Sequence, residues 1–112
     1  MFLKQIRPHL KCREYQIAVN SKNKEFDRIF NLRDAEKKEI LESLTKDDCI
    51  SVDKNNNQNY EDSEVFIFLK KVNISIYGES TEVELYIKMY LKNCDYFDMV
   101  IVISFHKSGE YE

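Results

Sequence analysis

The sequence predicts an α+β domain, with N-terminal helices packed on one face of a mainly antiparallel β-sheet. Three observations carry this. Before residue 45, apolar residues recur at spacings of three and four. After residue 64 the pattern changes to alternation. It is clearest where Val83, Leu85, Ile87, Met89 and Leu91 interleave with Glu82, Glu84, Tyr86, Lys88, Tyr90 and Lys92. From Met99 to Phe105 the chain is almost wholly apolar and rich in β-branched residues, as in a strand covered on both faces. Spacings of three and four mark a half-buried helix, and alternation marks a strand. Helices first, then strands joined by short turns, is the order of an α+β fold.

Residues 2–12 carry a stripe of Phe2, Leu3, Ile6 and Leu10. Pro8 falls inside it and removes a backbone donor, so a short or bent helix, or a start near residue 7, is expected. Residues 14–20 read as a strand with Tyr15, Ile17 and Val19 on one side, and Ser21–Lys24 as a turn. Phe26, Ile29 and Phe30 suggest a helix over residues 24–31. A further helix follows, with Asp34 as N-cap, Glu36 in its first turn, and a buried stripe of Ala35, Ile40, Leu41 and Leu44. Thr45 can cap one more turn, answered by Asp48.

Ile50 and Val52 begin an extended segment, and Asn55–Asp62 is a polar loop whose one packing residue is Tyr60. Residues 64–77 return to strand. A bulge or bend is expected after Lys70–Lys71, and a turn at Tyr77–Ser80. A hairpin turn near Asn93–Tyr96 would set Tyr86 opposite Ser104, Lys88 opposite Val102 and His106 opposite Glu84.

A chain of 112 residues suits a single domain, residues 1–112. Its 43% hydrophobic content, with two Gly and one Pro, argues for a folded globule. A net charge of −3 weighs against a nucleic-acid footprint over the whole surface but allows a local basic cleft. The three cysteines are scattered and form, with two histidines, no metal-ligand spacing. Scattered thiols without a secretory signal fit a reducing cytosol, and the charged N-terminus reads as neither signal peptide nor membrane span.

The chemistry collects at the C-terminal hairpin. His106 ends the apolar strand, and Tyr86 and Lys88 share one face of its neighbour. His9 has no partner motif beside it and is set aside.

Several patterns, taken in order, resemble the motility quorum-sensing regulator (MqsR) family of toxins. They are Phe30-Asn31-Leu32, the helix ending Ile40–Thr45, then Asp48, Val65–Lys70, Leu85-Tyr86-Ile87-Lys88, and Val102–His106. The resemblance spans roughly residues 1–107 and is most specific at YIK and ISFH. It implies a RelE-like toxin fold and a metal-independent endoribonuclease that cuts mRNA without a cofactor. It also implies a cognate antitoxin protein, a cytoplasmic setting, and no membrane or independent DNA partner.

Carried over position by position, the family's strand tyrosine matches Tyr86 and its terminal basic residue is matched in kind by His106. Ser51 stands where the family has a lysine, and Ile67 or a neighbour where it has a glutamine. Relatives with an aromatic–hydrophobic–Phe–x–Lys middle strand are similar to this chain around Lys70.

With the resemblance pointing to Tyr86 and His106, and Lys88 on the same strand face as Tyr86, the candidate catalytic set is His106, Tyr86 and Lys88, and Lys70, Lys71, Tyr90 and Lys107 are candidate RNA contacts. Cleavage without metal needs a base for the 2′-hydroxyl, an acid for the leaving oxygen and positive charge for the phosphorane. Histidine titrates near neutrality, lysine supplies charge, and tyrosine stacks on bases. The competing expectation is a module of the same fold that docks a protein partner without turnover, favoured by the departures at Ser51 and Ile67 and by the acidic charge balance.

Overall fold

The computed structural model describes residues 2–12, 14–54, 64–76, 78–93 and 98–109. In chain order the elements are α1 (Phe2–Lys11), β1 (Tyr15–Ile17), α2 (Ser21–Phe30), α3 (Asp34–Glu42) and a 3-10 turn (Lys46–Asp48). Then come β2 (Cys49–Lys54), β3 (Glu64–Ile76), β4 (Glu79–Asn93) and β5 (Asp98–Lys107). The strands form one sheet in the order β1-β5-β4-β3-β2. All neighbours are antiparallel except β1 with β5. The fold is the α+β arrangement expected, with all the helices on one face.

The helices are held there by aromatic contacts. Phe2 of α1 stacks on Phe66 at 3.9 Å between centroids, and Phe26 of α2 meets Phe105 edge-on at 5.8 Å. Around them lie Leu41, Leu44, Phe68, Leu85, Ile87, Met89, Val100 and Val102, all buried. The apolar set of β4, read from alternation, is thus the sheet's contribution to the main core. Val65, Ile67 and Tyr90 are buried as well, on the opposite face.

Several local expectations change. α1 begins at Phe2 and runs through Pro8, with the predicted stripe buried. Lys4 and Pro8 are both exposed, so the carbonyl freed by the missing proline N–H lies on the solvent side of the helix. Ser21–Lys24 is not a turn but the first turn of α2, because Asn20 caps it, its Oδ1 accepting from the Asn23 N–H at 2.9 Å. β1 accordingly stops at Ile17, and Val19 is 79% exposed. Ile29 and Ala35 are exposed too. Arg33, not Asp34, is the N-cap of α3.

The Thr45 turn forms as expected, with Asp48 Oδ2 accepting from the Thr45 N–H at 2.9 Å. β3 pairs with β4 without a bulge, from Phe66 opposite Met89 to Ile76 opposite Glu79. Gly78, at φ +82°, supplies the left-handed residue of the turn between them. The expected polar loop Asn55–Asp62, and all but Asn93 of the turn expected near Asn93–Tyr96, lie outside the described residues. No helix among the described residues is long and apolar enough to cross a membrane.

Candidate functional site

The hairpin register differs from the sequence expectation, and the difference builds the site. Near its turn β4 pairs with β5 as Met89 to Val102 and Leu91 to Val100. Beyond it the pairs are Lys88 to Ser104, Ile87 to Phe105 and Tyr86 to His106. Ile103 is left over, so β5 carries a β-bulge there. A bulge adds one residue and so reverses which side chains face which way. Val100 and Val102 face the helices, and without the bulge His106 would follow them. With it, Phe105 enters the main core and His106 turns to the other face, directly opposite Tyr86.

A bulge also strands backbone groups. β1 has ended, so the edge of β5 that it would cover continues past Val102, whose carbonyl accepts from the Ala18 N–H, one residue beyond β1, at 2.9 Å. The asparagines that start α2 take over. Asn23 Oδ1 accepts from the Phe105 N–H at 2.8 Å, and Asn23 Nδ2 donates to the Ile103 carbonyl at 3.1 Å. Asn20 Nδ2 donates to the same carbonyl at 2.8 Å. The Asn23 carboxamide thus stands in for the peptide unit that β1 no longer supplies. Asn23 is 4% exposed and also donates to the Ala18 carbonyl at 2.9 Å. A buried amide or carbonyl left without a partner costs about 1–3 kcal/mol, so these bonds matter to whether the bulge persists.

On the face away from the helices, Tyr86 and His106 stack, with ring centroids 5.4 Å apart and planes 25° apart. Lys88 and Ser104 form the next pair on that face. Across the neighbouring strands the two rows extend as Leu69, Tyr86, His106 and as Ser51, Ile67, Lys88, Ser104. Glu84 borders the site and accepts from Ser108 Oγ at 2.7 Å.

The imidazole of His106 is only 3% exposed. Its Nδ1 lies 2.9 Å from the Lys107 carbonyl oxygen. A carbonyl can only accept, so Nδ1 donates, and in the neutral imidazole Nε2 is the nitrogen with the lone pair. Nε2 is buried and meets no hydrogen-bonding group among the described residues. Chemically, this nitrogen can accept a proton when the ring is neutral, Lys88 is a cation at the next position of the same face, and Tyr86 is an aromatic plate stacked on the ring.

The other predicted contacts separate. Lys71 lies on the Tyr86 face, exposed and opposite Glu84. Lys70 does not join it: it pairs with Leu85, points to the helix side, and reaches Asp48 Oδ2 at 3.4 Å and the Ser43 carbonyl at 3.5 Å. Lys107 is exposed but opposite Leu85, and so also on the helix side. Tyr90 shares the Tyr86 face but is 1% exposed, so it offers no open surface to a base. His9 is engaged by Glu14 at 3.1 Å.

No family model, curated protein or solved structure matches the chain. What the site can do rests on its own geometry. Among the described residues no three His, Cys, Asp or Glu side chains gather to hold a metal ion. A cavity of about 420 Å³ opens elsewhere, between β1 and the helices α2 and α3, beside Asp27 and Lys37. Asn20, Asn23 and Ser104 were missed as site residues. The available signal was an asparagine after a strand with a second asparagine three residues on, which reads as a helix cap.

Proposed function

We propose that this chain is a metal-independent endoribonuclease of the toxin type, similar to the MqsR family, acting on mRNA and neutralised by a cognate antitoxin. The observation that carries the reading is the pairing of Tyr86 with His106, stacked at 5.4 Å, with Lys88 at the next position of the same face. Of what cleavage by a neighbouring 2′-hydroxyl requires, His106 offers the base and Lys88 the positive charge, and Tyr86 adds a surface on which a nucleobase can stack. The two rows of that face hold Tyr86 and His106, where the resemblance matches, and also Ser51, where it departs.

In the proposed reaction His106 Nε2 takes the proton of the 2′-hydroxyl, whose oxygen forms a bond to phosphorus as the bond to the 5′-oxygen breaks. Lys88 stabilises the charge on the phosphoryl oxygens. The leaving oxygen takes a proton from water, and the imidazolium returns its own to the hydroxide so formed. The products are a 2′,3′-cyclic phosphate and a 5′-hydroxyl. Tyr86 holds the adjoining base by stacking.

The test is incubation of purified protein with a single-stranded RNA in excess EDTA. Cleavage is expected with the native chain and absent in His106→Ala. A strict need for divalent metal, or full activity in that variant, refutes the reading. The second reading, a docking module without turnover, is favoured by the burial of His106 and Tyr90 and by Ser51 and Ile67 at the two departing positions. It predicts intact RNA together with a tight protein partner encoded nearby. Growth arrest on expression, relieved by that neighbour, favours the toxin instead.

A further inference from the structure

We infer that Asn23 is a positioning residue for His106: by pairing with the Ile103 bulge, it decides on which face of the sheet the imidazole stands. Its use in catalysis rests on the cleavage reading above, but the placement of the ring does not.

The argument follows from parity. Val100 and Val102 face the helices, and so would His106 in an unbroken strand. In that alternative Phe105 would stand beside Tyr86 and the histidine would enter the apolar core. Two forces oppose it. Phe105 packs on Phe26, and the polar groups at the bulge are met by buried Asn23, which accepts from the Phe105 N–H and shares the Ile103 carbonyl with Asn20. The packing of Phe105 rewards the bulge, but it cannot satisfy the Ile103 carbonyl or the Phe105 N–H, which Asn23 does with one acceptor and one donor. Only a carboxamide has both on adjacent atoms at this position. Asn23 touches no reacting group, so it acts entirely through the strand.

The experiment compares three chains: Asn23→Ala, deletion of Ile103, and the two combined. Deleting Ile103 removes the surplus residue and leaves Tyr86 opposite His106 in a regular ladder, so the requirement for Asn23 disappears. The first readout is the nuclear Overhauser contact between the Tyr86 and His106 rings, which needs no activity. It is expected in the native chain, reduced at least severalfold in Asn23→Ala, and restored in the combined variant. The second is RNA cleavage in EDTA, expected to fall at least tenfold in Asn23→Ala and to recover in the combined variant.

An undiminished ring contact in Asn23→Ala overturns the inference, as does a combined variant that stays as defective as Asn23→Ala. If Asn23→Ala does not fold, a folded combined variant with the ring contact supports the inference, and an unfolded one overturns it. Ring contacts that behave as expected in a native protein that cuts no RNA leave the positioning role standing and remove the cleavage reading alone.

Discussion

Lys70 and Lys88 are residues of one type whose roles the ladder separates. Lys88 stands beside Tyr86 and His106, whereas Lys70 crosses to the helix side and pairs with Asp48 at 3.4 Å. Lys88→Ala is therefore expected to lower RNA cleavage by about a hundredfold, the order found when a transition-state charge donor is lost. Lys70→Ala should leave cleavage within about twofold and cost at most about 1 kcal/mol of stability, as for a partly exposed ion pair. Equal losses from the two, in initial rates on one RNA, would refute the assignment. At this scale the alternation of β4 placed Tyr86 and Lys88 on one face, as they stand, but Lys70 and Lys71 read alike, and one residue of parity parts them.

At the scale of elements, strands were legible where one face is buried and the alternation unbroken, as in β4. The helix stripe of α1 was legible for the same reason, and all four of its predicted residues are buried. What escaped was set by long-range hydrogen bonding. The Ile103 bulge lies inside a uniformly apolar run, so no change of pattern marks it. The start of α2 was hidden because Ser21–Lys24 is polar and its asparagine cap, Asn20, also serves a strand 83 residues away. The α2–α3 pair carries a further expectation. Lys37 Nζ meets Asp27 Oδ1 at 2.7 Å, with the lysine buried and the aspartate half-exposed. Asp27→Ala leaves a buried ammonium and should cost about 1–2 kcal/mol in urea unfolding, less than for a fully buried pair. Adding Lys37→Met should recover part of that. No loss from Asp27→Ala would mean that the pair does not join the helices. At the start of α3, the Arg33 backbone N–H, with its guanidinium, holds the Glu36 carboxyl below its ordinary value. The cap's contribution is therefore present above that ordinary value and is lost as pH falls through the depressed one.

At the scale of the whole molecule, the charge balance sets what binding can look like. The chain carries a net charge of −3, so its long-range field repels a polyanion rather than steering it. The lysines on the Tyr86 face are Lys71, Lys88 and Lys92, and Glu82, Glu84 and Asp53 share that face. Among the described residues, those lysines are the cations through which single-stranded RNA bound there displaces counterions, because Lys70 and Lys107 point to the helix side. Each phosphate contact contributes about 0.7 to the salt slope, so three contacts set a limit near −2 for log affinity against log salt. Fluorescence anisotropy with a short labelled RNA and the His106→Ala chain, at several salt concentrations, measures this without turnover. A slope between about −1 and −2 is expected, with the value in Lys88→Ala shallower by about 0.7. A slope much steeper than −2 requires phosphate contacts beyond this face. In that case the hairpin would not be the principal RNA surface, and the mixed charges beside the β1 cavity, among them Lys24 and Lys38, would be the next place to substitute.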